Sequence, residues 1–132
     1  MEAARVSAER GHRVTLAEAS DRLGGQFRLA GLQPRRAQIL DLIEWYGRQL
    51  SQLQVEVRYG TYVEAGDIVS EGYDHIIIAT GSLPNEGAFQ RALPQFERLP
   101  GDGPLISAEA VMAREERPGQ RVLILYDGGN WK

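Results

Sequence analysis

DHIIIAT, from Asp74 to Thr80, is the clearest strand pattern in this sequence and sets the predicted fold class. Its three isoleucines follow one another without alternation, which is typical of a parallel strand covered on both faces. Two further runs have strand character, RVTLAE at residues 13–18 and RVLILY at residues 121–126. We therefore predict a buried parallel strand at residues 74–80, with other strands of the same sheet elsewhere in the chain.

Helical segments alternate with these strands. A first helix is predicted at residues 2–10, and a long one from Arg35 to Leu53, where apolar side chains recur at helical spacing. Short strands are expected at residues 55–59 and 62–63, a helical turn at residues 67–71, and a short helix from the N-cap Ser107 to about Glu116. Residues 82–104 are expected to be irregular. The apolar positions of the long helix are Ile39, Leu42, Ile43, Tyr46, Leu50 and Leu53.

This alternation predicts an α/β protein with a Rossmann-like parallel sheet and helices on both faces. In a dinucleotide-binding fold the first strand is central, and its turn into the first helix holds the pyrophosphate. Here the order of elements begins with a helix. We therefore expect an incomplete dinucleotide-binding domain that lacks its first strand.

The composition excludes several classes of protein. The 132 residues are 42% apolar and 25% charged, which argues against a disordered chain. A net charge of −3 without a basic cluster argues against a nucleic-acid partner, and no apolar run approaches the ~20 residues of a membrane span. The absence of cysteine excludes disulfides, thiolate metal sites and cysteine nucleophiles. We expect a soluble, cytoplasmic protein that binds no metal.

Glu18 is the first candidate for a binding residue, because it ends the predicted strand 13–18. A carboxylate at the end of the second strand of a Rossmann unit accepts the ribose hydroxyls of an adenosine and repels a 2′-phosphate. The alternative is a solvated acid at a strand end, and the missing glycine-rich fingerprint leaves both interpretations open.

Two glycine-containing segments are further candidates. Gly24-Gly25-Gln26 predicts a turn that lets backbone amides approach an anion or a flavin, with Arg22 near enough to contact phosphate. A tight turn without a ligand explains the same glycines. The segment 79–81, Ala-Thr-Gly, follows the isoleucine strand at its carboxyl end, where open α/β sheets bind ligands.

Other polar residues give no evidence of catalysis. Residues 127–129, Asp-Gly-Gly, follow a predicted strand but lack the Gly-x-Gly-x-x-Gly pattern of a dinucleotide site. His12 and His75 have no carboxylate or serine at a telling spacing, so we assign them structural roles. We predict no catalytic acid, base or nucleophile in this chain.

Taken together, four blocks resemble one family over essentially the whole chain. They are residues 2–30, residues 73–84, residues 106–112 and residues 121–131, in that order. They resemble the C-terminal nucleotide-binding region of the trimethylamine dehydrogenase / 2,4-dienoyl-CoA reductase family. These are NADH:flavin oxidoreductases whose N-terminal part is like old yellow enzyme.

The resemblance implies a role for each block. It implies that Glu18 holds the adenosine ribose of FAD, or of ADP in members without that flavin, and that Gly24, Gly25 and Gln26 line the cofactor. It places Ala79, Thr80 and Gly81 near the pyrophosphate. Residues 1–104 would be part of the FAD- or ADP-binding domain. Residues 105–132 would be a connecting helix and the first strand of an NAD(P)H-binding unit, packed in the same sheet or outside it.

On this resemblance we expect the chain to be a fragment whose partner is the remainder of the flavoenzyme. The isolated fragment is expected to bind FAD or ADP weakly or not at all, and to be inactive. A non-catalytic nucleotide-binding or interaction module is the alternative function. Unpaired strand edges invite association, so we expect residues 121–127 to fill the place of the missing strand, within one chain or exchanged in a homodimer.

Overall fold

The computed structural model describes residues 1–82 and 104–125, which belong to two compact units divided between Gly81 and Ser82. Counting the described residues only, the first unit contains two short strands and four helices, and the second contains one helix. In chain order the elements are α1 (Glu2–Glu9), β1 (Thr15–Ala17), α2 (Gly25–Gly31), α3 (Gln38–Gln52), β2 (Glu56–Arg58), α4 (Ala65–Glu71) and α5 (Ala108–Ala113).

The two strands of the first unit pair in parallel. Thr15 lies opposite Glu56, and Ala17 lies opposite Arg58. Parallel neighbours require a long crossover connection, and here α2 and α3 provide it. The predicted α/β class with parallel strands is confirmed.

The core of the first unit forms around α3. Among the described residues, Leu50 is the only fully buried large side chain of this core. The buried Ile43 lies two helical turns before it, on the same face of α3. Ala4 from α1, Leu23 and Val55 complete the buried cluster. Helices α1 and α2 both pack on α3, so burial of the α3 stripe holds the helices against one another.

Local capping explains where α4 and α5 begin. Glu64 and Asp67 form a reciprocal capping box at the start of α4, in which the Glu64 amide donates to Asp67 Oδ2 at 2.9 Å. At α5 the Ser107 hydroxyl accepts the Ala110 amide at 3.0 Å, which confirms the predicted N-cap. This helix ends at Ala113 rather than near Glu116.

The predicted strand at residues 74–80 does not form. These residues belong to no helix or strand, and Ile76, Ile77 and Ile78 are exposed. A strand is defined by hydrogen bonds to a neighbour, and strand propensity mainly measures packing against that neighbour. In the described residues the sheet contains β1 and β2 alone, so the isoleucine run makes no ladder hydrogen bonds.

Other predictions also need correction. Of the strand predicted at residues 121–126, residues 121–125 form no strand, and residue 126 lies outside the described residues. The strand predicted at residues 62–63 does not form either. Helix α2 was not predicted, because its short run of glycine and mixed side chains has no clear apolar period. Leu42, expected in the buried stripe of α3, is exposed. Its neighbour Ile43 faces the core instead.

Several predicted segments lie wholly or mainly outside the described residues, among them the irregular chain after residue 82 and the glycines at 128 and 129. Within residues 1–82 and 104–125, no helix combines the length and apolar character that crossing a bilayer requires.

Candidate functional site

The candidate site is the strand-end turn, which we define as residues 18–25, from the end of β1 to the first residue of α2. The backbone of Glu18 continues the pairing of the strands, since its amide donates to the Arg58 carbonyl at 2.9 Å. Its carbonyl accepts the Thr61 amide at 3.0 Å, and the Ser20 carbonyl accepts the Gly60 amide at 2.9 Å. These backbone hydrogen bonds hold the turn against β2 and against residues 60–61, which follow it.

The carboxylate of Glu18 is held by Ser20. Oε1 accepts the Ser20 amide at 3.0 Å and lies 3.0 Å from the Ser20 hydroxyl. That hydroxyl is also 2.6 Å from the Arg22 carbonyl, so its single hydrogen is shared between two acceptors. In the described part of the chain, Oε2 accepts no hydrogen bond. One carboxylate oxygen thus orients the side chain and the other is left for a ligand.

Ser20 was not among the residues predicted from the sequence. A detectable signal exists, because a serine two residues after an acidic residue commonly joins it in a local side-chain-to-backbone turn. Ser20 is therefore a positioning residue for Glu18.

Arg22 is paired with its neighbour. Its Nε and Nη2 atoms donate to the two carboxylate oxygens of Asp21 at 2.6 and 2.8 Å. The hydrogen bond from Arg22 lowers the pKa of Asp21, and the same contact raises the pKa of Arg22. A phosphate would have to compete with this carboxylate for the guanidinium group.

The two glycines of the strand-end turn differ in how much space a side chain would have. Gly24 has a φ of 113°, and a Cβ there would lie 2.8 Å from Ile43 Cδ1. Gly25 has a φ of 47°, and a Cβ there would meet no atom within 4 Å. The φ angle and the packing against Ile43 therefore explain Gly24 without a ligand, whereas the open surface at Gly25 leaves room for close approach by a ligand. Gln26, in the first turn of α2, is exposed.

Residues 79–81 are exposed and outside any strand. Among the described residues, Glu18 makes no hydrogen bond to this segment, so its place at the cofactor stays a prediction. His12 and His75 are also exposed. The described residues hold no group of three or more His, Asp or Glu side chains able to bind a metal.

No protein-family model matches the chain. Individual proteins do. The chain is 38% identical over 130 residues to a probable N-methylproline demethylase of Rhizobium meliloti (strain 1021), covering 98% of this chain and 18% of that protein. It is 38% identical over 126 residues to the N,N-dimethylglycine/sarcosine dehydrogenase of Chromohalobacter salexigens, covering 94% of this chain and 18% of that protein.

A solved structure also resembles the chain. It is a complex of 2-naphthoyl-CoA reductase with 2-naphthoyl-CoA, with a TM-score of 0.60 and 34% sequence identity over 66% of this chain and 14% of the reductase. The chain thus spans less than a fifth of the length of these relatives. The match along nearly the whole sequence, together with the shared fold, establishes that this chain is homologous to a segment of the flavin-dependent NADH:flavin oxidoreductase-type enzymes.

Proposed function

We propose that this chain is the part of a flavin-dependent oxidoreductase that binds the adenosine end of FAD, or ADP in its place. In the intact enzyme it would serve the relay of electrons between NAD(P)H and flavin. The observation that carries the proposal is the Glu18 carboxylate, fixed through one oxygen by Ser20 at the end of a parallel strand. Flavin, when bound, supplies the hydride and electron chemistry, and the protein supplies position and electrostatics.

Glu18 would recognise the ribose. Its Oε2 atom is available to accept a ribose hydroxyl, while Ser20 restrains the side chain from turning away. The negative charge disfavours a 2′-phosphate at the same place. Recognition should therefore favour ADP and FAD over nucleotides that carry a 2′-phosphate.

The neighbouring residues would complete the site. The open surface at Gly25 supports close approach of the dinucleotide to the backbone, with Gly24 shaping the turn and Gln26 beside it. Arg22 would contact phosphate after release from Asp21. We further propose that residues 79–81 approach the pyrophosphate. A separate proposal is that the chain acts in the cytoplasm, which its lack of cysteine favours.

The chain would span parts of two nucleotide-binding domains. Residues 1–104 would contribute to the FAD- or ADP-binding domain, and residues 105–132 would connect it to an NAD(P)H-binding unit. Because pyrophosphate is normally held by a glycine-rich turn at a helix N-terminus, and this sequence contains no such fingerprint, we expect the 132-residue chain alone to bind ADP weakly and to catalyse nothing. Micromolar binding in a calorimetric titration would contradict that expectation.

A chimera tests the proposal in the context of an intact enzyme. The aligned segment of the Chromohalobacter dehydrogenase is replaced by residues 1–132, and nucleotides released from the purified chimera are separated by chromatography. We expect retained FAD or ADP. Glu18→Gln should weaken adenosine binding about tenfold, since a hydrogen bond to a charged group contributes roughly 1.5 kcal/mol or more.

The matched control is Glu44→Gln, which changes an exposed glutamate on α3 whose only described ion pair is to Arg48 at 3.8 Å. This variant should retain nucleotide at the level of the unmodified chimera. A folded chimera that holds neither FAD nor ADP would contradict the proposal. Retained ADP without FAD would instead favour the second candidate, a non-catalytic nucleotide-binding module.

A further inference from the structure

The Arg58 side chain joins β2 to α4. Its Nη1 atom donates to both carboxylate oxygens of Glu71 at 2.9 and 2.8 Å, and its Nε atom donates to Glu56 Oε1 at 2.8 Å. The Tyr73 hydroxyl donates to Glu71 Oε2 at 2.6 Å. Hydrogen bonds from Tyr73 and Arg58 lower the pKa of Glu71, which keeps this carboxylate charged at neutral pH. Arg58 is therefore the centre of a charged network that reaches from a strand to the last residue of a helix.

This network closes the segment that supports the strand-end turn. Residues 59–70 lie between the two partners of the ion pair, and they include both Gly60 and Thr61. The amides of these two residues donate to the carbonyls of Ser20 and Glu18 at 2.9 and 3.0 Å. Joining the two ends of a segment removes conformations from it. The ion pair should therefore restrict the residues that hold Glu18 in place.

We propose that the Arg58–Glu71 pair positions Glu18 for ribose recognition. It acts through Gly60 and Thr61, whose hydrogen bonds hold the strand-end turn. The inference rests on the proposed function for the identity of the ligand. When the Glu71 carboxylate is removed, the segment after β2 gains freedom and the two hydrogen bonds open more often. Oε2 of Glu18 is then offered to the ribose for a smaller fraction of the time.

Local contacts within the segment are the competing explanation for its conformation. The Thr61 hydroxyl donates to the Tyr59 carbonyl at 3.1 Å, and the capping box of Glu64 and Asp67 fixes the start of α4. These contacts order parts of the segment, but they do not join its far end to β2. If they were sufficient, removing the Glu71 carboxylate would leave the strand-end turn unaffected.

The first test is hydrogen exchange of individual amides in the 132-residue chain, followed by NMR. Glu71→Ala should raise the exchange rates of the Gly60 and Thr61 amides about threefold, since an exposed ion pair makes a modest contribution. The Gly11 amide donates to the Ala8 carbonyl in a turn that precedes β1, and it should exchange at the wild-type rate. Unchanged rates at Gly60 and Thr61 would overturn the proposal, and so would an equal rise at Gly11.

Glu56→Ala is the matched control. It removes the other carboxylate that Arg58 contacts, but Glu56 lies two residues away in the same strand, so that contact closes no loop. We expect this variant to leave the Gly60 and Thr61 rates unchanged. Concentrated salt should reduce the effect of Glu71→Ala, because it screens the ion pair. An effect of Glu56→Ala as large as that of Glu71→Ala, or one of Glu71→Ala that salt does not reduce, would overturn the proposal.

The second test measures ADP binding by the chimera with the Chromohalobacter dehydrogenase, after its bound nucleotide is removed. Glu71→Ala should weaken ADP binding about threefold. In the Glu18→Gln background the same change should have less effect, because a positioning residue acts through the group that it positions. Equal weakening in both backgrounds would overturn the positioning role. A chimera that binds no ADP would contradict the proposed function and with it the ribose part of this proposal, whereas the exchange rates decide separately whether the pair holds the turn.

Discussion

Replacing Gly24 by alanine should destabilise the first unit strongly, whereas the same change at Gly25 should have a small effect. The two glycines are adjacent and both have positive φ angles, 113° and 47°. The angle at Gly25 is near the left-handed region that an alanine can adopt, and its surroundings are open. The angle at Gly24 is far outside that region, and the added methyl group would meet a core side chain.

The magnitude follows from two contributions. A residue held outside the populated backbone regions costs about 1–3 kcal/mol. The Gly24 methyl would also lie 2.8 Å from Ile43 Cδ1 and 3.2 Å from Arg28 Cβ. Because Ile43 is buried, relieving that overlap costs about 1–3 kcal/mol more. We expect Gly24→Ala to lower the free energy of unfolding by about 3 kcal/mol, against about 1 kcal/mol for Gly25→Ala.

Urea denaturation of each variant, followed by circular dichroism, measures both values. The Ile43→Val background separates the two contributions, because it removes Cδ1 and leaves the backbone strain. There Gly24→Ala should cost about 1–2 kcal/mol less than in the wild type. If Gly24→Ala costs no more than Gly25→Ala, the strain and overlap assigned to Gly24 are absent. An equal cost in both backgrounds would exclude the overlap with Ile43.

Three further changes probe the rest of the first unit. Leu50→Ala should lower the free energy of unfolding by about 3 kcal/mol, since Leu50 is fully buried, while the exposed Leu42→Ala should cost less than about 1 kcal/mol; denaturation midpoints compare them. Gly47→Ala should raise the free energy of unfolding by about 0.5–1 kcal/mol, because alanine favours the helical conformation more than glycine does and its methyl group would meet no atom within 4 Å. An unchanged or lower melting temperature would contradict this expectation. The hydrogen bond from Arg58 lowers the pKa of Glu56. This pair therefore stabilises the folded chain at pH values above the ordinary carboxyl pKa of 4.5, and the stabilisation is lost as the pH falls through the lowered pKa of Glu56. Arg58→Gln should therefore reduce the melting temperature at neutral pH and lose that effect in acid, and an equal reduction at both would contradict it.

Local patterns predicted the helices better than the strands. The apolar spacing from Ile39 to Leu53 located α3 within three residues at its start and one at its end, because a helix satisfies its own backbone hydrogen bonds. Ser107 identified the start of α5 because its capping hydrogen bond is made to the Ala110 amide, only three residues away. Leu42 was misplaced, since the neighbouring positions 42 and 43 both fit an apolar stripe and only packing against α1 and α2 selects between them.

The candidate site was predicted in part. Glu18 could be recognised from its place after a strand, and the strand-end turn from its paired glycines. Ser20 was missed, as was the different role of each glycine, because both depend on distances across the turn. The pairing of Arg22 with Asp21 likewise has no signature in the spacing of charged residues along this chain.

The amino-acid sequence was enough to infer the α/β class, the main helix, the turn after β1 and the homology to one segment of a flavoenzyme. Which apolar runs become strands depended on contacts between distant segments. RVTLAE contributes three paired residues, whereas DHIIIAT, with the stronger pattern, remains unpaired and exposed. A strand makes its hydrogen bonds to another segment, so composition sets only the tendency to pair, and the presence of a neighbour decides whether pairing occurs.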